Sequence, residues 1–142
     1  MGRSRGGLTT KVHALTDAHG LPIRLALTPG QTHDANGAAM LLSGLTDGGV
    51  VLGDKAYGAD LIRDWIEVQG AAPNIPDRVN RKHRHCFSKV LYKERNHVER
   101  FFIRIKHFRR VATRFEKHAA NYLAMIKLAA IRIWLRVNES VA

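Results

Sequence analysis

As far as Pro76, short apolar runs between turn formers alternate with stretches of helical spacing, and from about Lys89 onward helical spacing alone remains. That change of period constrains the fold more than any other feature, because side chains alternate across a strand but recur every 3.6 residues on a helix. Residues 11–16 and 21–27 form two such runs, joined by Asp17-Ala-His-Gly20, where the Asp opens a turn and the Gly can take a positive φ. They predict a β-hairpin. Pro29-Gly30 closes its second strand, and Thr32 or Asp34 can cap a helix over residues 35–45. Branched residues 50–52, between Gly48-Gly49 and Gly53-Asp54, predict a strand buried on both faces. Residues 59–69 read as an amphipathic helix stopped by Gly70, and residues 71–75 as a further strand closed by Pro76.

Residues 77–88 are polar, basic and aperiodic, and read as a loop; helices follow over residues 89–108 and 119–137. The order, ββαβαβ and then helices, predicts a mixed α/β domain around a central sheet. At 142 residues the chain suits one domain better than two, with residues 1–7 as a flexible Gly/Arg lead-in.

The net charge of +11 asks for a polyanionic partner, nucleic acid first and an anionic membrane surface second. The charge is local: residues 78–117 hold fourteen Lys or Arg against Glu94, Glu99 and Glu116. A hydrophobic share of 45% argues against wholesale disorder. The single cysteine, Cys86, excludes an internal disulfide and suits a reducing cytoplasm. No secretory signal is read after Met1. Lys127, Arg132 and Arg136 interrupt the last apolar run, so it reads as a buried helix and no membrane partner is expected.

Two places invite chemistry. Asp54 stands where a strand gives out, the position at which α/β folds collect catalytic groups, although an Asp there often only caps a turn. In the helix from Lys89, residues Tyr92, Arg95, Glu99 and Lys106 fall within about 60° of one another, as one polar stripe. Beside it, Leu91, Val98, Phe101, Phe102, Ile105 and Phe108 form an apolar face. An ordinary surface helix with Arg95 and Glu99 paired at i, i+4 accounts for this spacing equally. A carboxylate among cations also suits metal-assisted work on phosphodiesters. His83, His85 and Cys86 match no common zinc spacing, His97 reads as a helix-surface residue, and Trp65 and Trp134 as core.

Tyr92, Arg95, Glu99 and Lys106 match the Y-(2)-R-(3)-E-(6)-K signature of DDE transposases from bacterial insertion sequences, in the four/five superfamily. The segments Gly2-Arg-Ser-Arg-Gly-Gly-Leu-Thr-Thr-Lys-Val-His13, Gly53-Asp-Lys-Ala-Tyr57, Glu99-Arg-Phe-Phe102 and Phe108-Arg-Arg110 are similar too, so the chain resembles the C-terminal catalytic portion of that family. The resemblance implies a ribonuclease-H-like fold and an acidic triad holding two Mg²⁺ or Mn²⁺ ions, with Asp54 as the second acid and Glu99 as the third. Tyr92, Arg95, Lys106, Arg109 and Arg110 would bind the terminal inverted repeats or target DNA, on an oligomer in the bacterial cytoplasm and nucleoid. The family's first acid lies on a strand before the segment that opens this chain, and neither Asp17 nor Asp34 is assigned to it. That implies a missing first strand, an upstream-frame segment as partner, and little or no nuclease activity alone. The alternative from a different class is a non-catalytic basic DNA-binding protein, a transposase remnant.

Overall fold

A computed structural model of the chain describes residues 2–4, 7–45 and 48–141. The chain divides into two compact units, residues 1–32 with 97–142 and residues 33–96. Each has its own apolar cluster.

In the first unit, β1 (Gly2–Ser4), β2 (Gly7–Thr16) and β3 (Pro22–Pro29) form an antiparallel sheet in that order. Part of the expected flexible lead-in is therefore strand, because Gly2, Arg3 and Ser4 pair with Thr9, Leu8 and Gly7; Met1, Arg5 and Gly6 lie outside the described residues. The predicted hairpin is β2–β3, with Val12 opposite Leu27 and Ala14 opposite Leu25. Its turn forms as the sequence indicates: Oδ1 of Asp17 accepts from the backbone N–H of His19 and of Leu21, and Gly20 takes φ 76°.

Helices α4 (Asn96–Lys106), α5 (Arg109–Ala112) and α6 (Ala119–Val141) complete this unit. Phe101 and Ile126 are fully buried at its centre with Ile105, Tyr122 and Ile133, and Val12, Ala14, Leu25 and Leu27 of the hairpin pack against them. The apolar stripe read from the sequence supplies Phe101, Phe102, Ile105 and Phe108 to this core. Trp134, read as core, is instead 37% exposed, and its indole N–H donates to the Pro22 carbonyl at 2.9 Å.

The second unit holds α1 (Asp34–Leu42), the parallel pair β4 (Val50–Leu52) and β5 (Ala72–Asn74), α2 (Asp60–Val68) and α3 (Lys89–Tyr92). Its core is Ala38, Leu42, Ile62, Ile66, Ala71 and Ile75, with Trp65 partly buried against it. Neither Thr32 nor Asp34 caps α1: His33 is the N-cap without a side-chain bond, and Asp34 lies in the first turn, where its charge suits the helix dipole. The strand at residues 50–52 is not buried on both faces, since a two-stranded sheet covers little and Val50 is 49% exposed.

The strands thus fall into one antiparallel and one parallel sheet rather than a single central one. The coarse class, mixed α/β, stands. The helix expected over residues 89–108 is α3, a 3-10 turn at Lys93–Arg95 and then α4. Tightening to i→i+3 bonds is common where helices join. Leu91 falls on the short α3, which buries nothing, so it is exposed and not part of the apolar face.

Candidate functional site

Asp54 follows β4 and is the N-cap of the 3-10 turn Lys55–Tyr57, with extended backbone at φ −84° and ψ 177°. Its Oδ1 accepts from the Ala56 N–H at 2.8 Å, so the carboxylate is held by its own turn. Among the described residues, Oδ2 accepts no hydrogen bond. The turn lies close against the next strand. A Cβ on Gly53 would stand 3.2 Å from Ile75 Cγ1, and one on Gly58 would stand 3.3 Å from the Lys55 carbonyl.

The Tyr57 phenol packs against the core of the second unit. Burial, and then the negative charges of Asp34 and Asp54, push its pKa up to about 12. Asp34 and Asp54 thus act on one partly buried phenol, a relationship that the sequence does not foretell.

Tyr92 and Arg95 come together in the second unit, with the guanidinium carbon 5.4 Å from the ring centroid. Phe87 meets Tyr92 edge-on at 5.2 Å between centroids. Glu99 belongs to the first unit, as an exposed residue in the first turn of α4, where a carboxylate suits the helix dipole. Lys106 is exposed in the last turn of α4, and Arg109 and Arg110 are exposed on α5. Arg110 stacks over the exposed ring of Phe115 at 5.1 Å. Asp54 and Glu99 therefore belong to different units of the chain.

The loop over residues 77–88 carries a network that sequence reasoning missed. Arg63, 2% exposed on α2, donates from Nη2 to the Ile75 carbonyl at 2.7 Å and to Oδ1 of Asp77 at 3.0 Å. Asp77 Oδ2 also accepts from the His85 N–H at 2.7 Å, and its Oδ1 meets His85 Nδ1 at 2.9 Å. Burial opposes the charge on Asp77, but the two His85 hydrogen bonds and the Arg63 charge outweigh it and hold the pKa below the usual carboxylate range. Arg81 donates to the Gly58 carbonyl at 2.8 Å and to Asp60. The one signal available beforehand was that Asp77 is the sole acid of residues 77–88.

His85 is engaged with Asp77 and Cys86 is exposed. Among the described residues no group of three or more His, Cys, Asp or Glu could hold a metal ion. Also among the described residues, no helix is long and apolar enough to cross a membrane.

The Transposase DDE domain family matches residues 2–134. A protein of Brucella ovis named as the transposase for insertion sequence element IS6501 is 42% identical over 130 residues, covering 91% of this chain and all of the relative. One of Burkholderia cepacia, named as the transposase for IS402, is 30% identical over 142 residues; the match covers 92% of this chain and 64% of that relative. No solved structure gives a significant match. With a family match over nearly its whole length and a relative matched from end to end, the chain belongs to the DDE transposase family.

Proposed function

We propose that this chain supplies two acids, Asp54 and Glu99, to a ribonuclease-H-like centre that cuts and joins DNA at insertion-sequence ends. The observation that carries the reading is Asp54 itself: a strand-end carboxylate with one oxygen fixed by the Ala56 N–H and the other accepting no hydrogen bond. A carboxylate so held needs little reorganisation to act as a ligand.

Two carboxylates suit Mg²⁺ or Mn²⁺ in kind, since both are hard cations that prefer oxygen. In number they fall short, as no larger ligand group gathers among the described residues. The centre is therefore read as completed by a further carboxylate from an upstream segment, on an oligomer assembled on nucleoid DNA in the cytoplasm. A divalent cation bound there would supply Lewis acidity at a phosphodiester. Asp54 and Glu99 would hold that cation, while Tyr92, Arg95, Lys106, Arg109 and Arg110 would grip the terminal repeat or target DNA through phosphate contacts and stacking.

A second reading is a basic DNA-binding remnant without catalysis, which the fourteen Lys or Arg of residues 78–117 support. Cleavage of terminal-repeat DNA in Mg²⁺, by this chain alone and by the chain joined to an upstream acid-bearing segment, separates the two. Activity is expected only in the joined protein, and Asp54→Asn or Glu99→Gln should abolish it. Asp54→Asn retains an acceptor for the Ala56 N–H, so its loss of activity would report the missing charge rather than a broken cap. Full activity of Asp54→Asn in the joined protein would sink the first reading. DNA binding indifferent to Mg²⁺, with no cleavage in any form, would establish the second.

A further inference from the structure

The loop over residues 77–88 has neither helix nor strand, yet it is fastened at its start, middle and end. Asp77 is held by Arg63 and His85. Arg81 is tied to the Gly58 carbonyl and to Asp60 and Asp77. Ser88 is bonded through its backbone to Asn74, donating to Oδ1 at 2.7 Å and accepting from Nδ2 at 3.1 Å. Ordering a segment of this length without regular structure costs conformational entropy, and loops held in this way tend to carry function.

The charges divide into two sets. Asp77, Arg81 and His85 are engaged in the fastening. Arg78, Lys82 and Arg84 are exposed and have no acidic partner among the described residues. Gly58 directly follows the turn that Asp54 caps, so the Arg81 bond braces the loop against the candidate acid's own turn. A protein partner would call for an apolar anchor at the centre of the patch, whereas Val79 is the loop's one large apolar side chain that is exposed, among the described residues.

We infer that this loop is a phosphate-gripping element: Arg78, Lys82 and Arg84 take the backbone of duplex DNA beside the Asp54 turn, and Asp77 and Arg81 are positioning residues. The inference rests on the proposed function for the identity of the polyanion, and adds a contact surface outside the signature residues. Charge-assisted bonds to phosphate oxygens are the chemistry that exposed guanidinium and ammonium groups supply.

The full chain, titrated with a duplex oligonucleotide of arbitrary sequence at several salt concentrations, tests it. Each phosphate contact contributes about 0.9 to the slope of log affinity against log salt. The triple variant Arg78→Ala, Lys82→Ala, Arg84→Ala, changed only at exposed positions, should lose about two to three units of that slope. Cys86, the chain's single cysteine and exposed on this loop, should alkylate more slowly when duplex is bound. Asp77→Asn removes an acid, so net charge alone would tighten binding, whereas loss of positioning should weaken it several-fold. If wild type binds while the triple variant keeps its slope and Cys86 is unprotected, the loop inference fails and the proposed function stands. Failure of wild type to bind duplex overturns both. Tighter binding by Asp77→Asn overturns the positioning role.

Discussion

Asn74 and Ser88 bond to each other twice: the Ser88 N–H donates to Asn74 Oδ1 at 2.7 Å, and Asn74 Nδ2 donates to the Ser88 carbonyl at 3.1 Å. One buried amide at the end of β5 thereby satisfies both backbone groups of a residue fourteen positions on, where α3 begins. The pair closes the basic loop much as two ladder bonds would close a hairpin.

Removing that amide leaves the Ser88 N–H without its partner, while the Ser88 carbonyl keeps the Tyr92 N–H. Asn74→Ala should lower stability by about 1–3 kcal/mol, the penalty for unsatisfied buried groups. Chemical denaturation should show the shift in midpoint, and amide exchange should show faster exchange at Ser88. An unchanged Ser88 exchange rate would refute this account of the loop.

The Arg63–Asp77 pair predicts acid sensitivity. The folded pKa of Asp77 lies below its ordinary value, so its stabilisation is complete above about pH 4 and is lost as pH falls through the folded value. Denaturant midpoints measured against pH should decline across that window, and Asp77→Asn should flatten part of the decline. Arg63→Met should destabilise at neutral pH, because it takes one cation from Asp77 and a donor from the Ile75 carbonyl, leaving His85 and Arg81 to hold the carboxylate. The two changes together should cost less than their sum.

Tyr57 predicts the opposite limb. Its folded pKa of about 12 lies above the ordinary value of 10.0, so the stabilisation from keeping the phenol neutral holds below pH 10 and is lost as pH rises toward 12. Burial raises Tyr122 as well, so ultraviolet titration should show tyrosine ionisation above the ordinary range, and Tyr57→Phe should remove the late component near pH 12. Retention of the late component in Tyr57→Phe would refute the assignment.

Gly20 takes φ 76°, and a Cβ there would stand 3.0 Å from the His97 carbonyl oxygen. Strain in the left-handed region and the backbone contact act in the same direction, so Gly20→Ala should destabilise by more than about 1 kcal/mol. Thermal unfolding of the two proteins decides it. An equal or higher midpoint for Gly20→Ala would show that the turn can relax.

The sequence by itself determined the β2–β3 hairpin, the burial of Phe101 and Ile105, the amphipathic α2 and the family signature running from Tyr92 to Lys106. Each is written in residues a few positions apart, where the period of apolar side chains and the chemistry of Asp17 and Gly20 act locally. Only the tertiary structure decided that the strands form two sheets, that Asp34 and Asp54 act on the same phenol, and that Asp77 fastens a loop that looked featureless. Those facts depend on residues distant in sequence meeting through packing, and no local period specifies which partners meet. The Y-R-E-K spacing was legible for the same local reason. That Tyr92 and Arg95 fall in one unit and Glu99 and Lys106 in the other is a division between Asn96 and His97 that the spacing does not show.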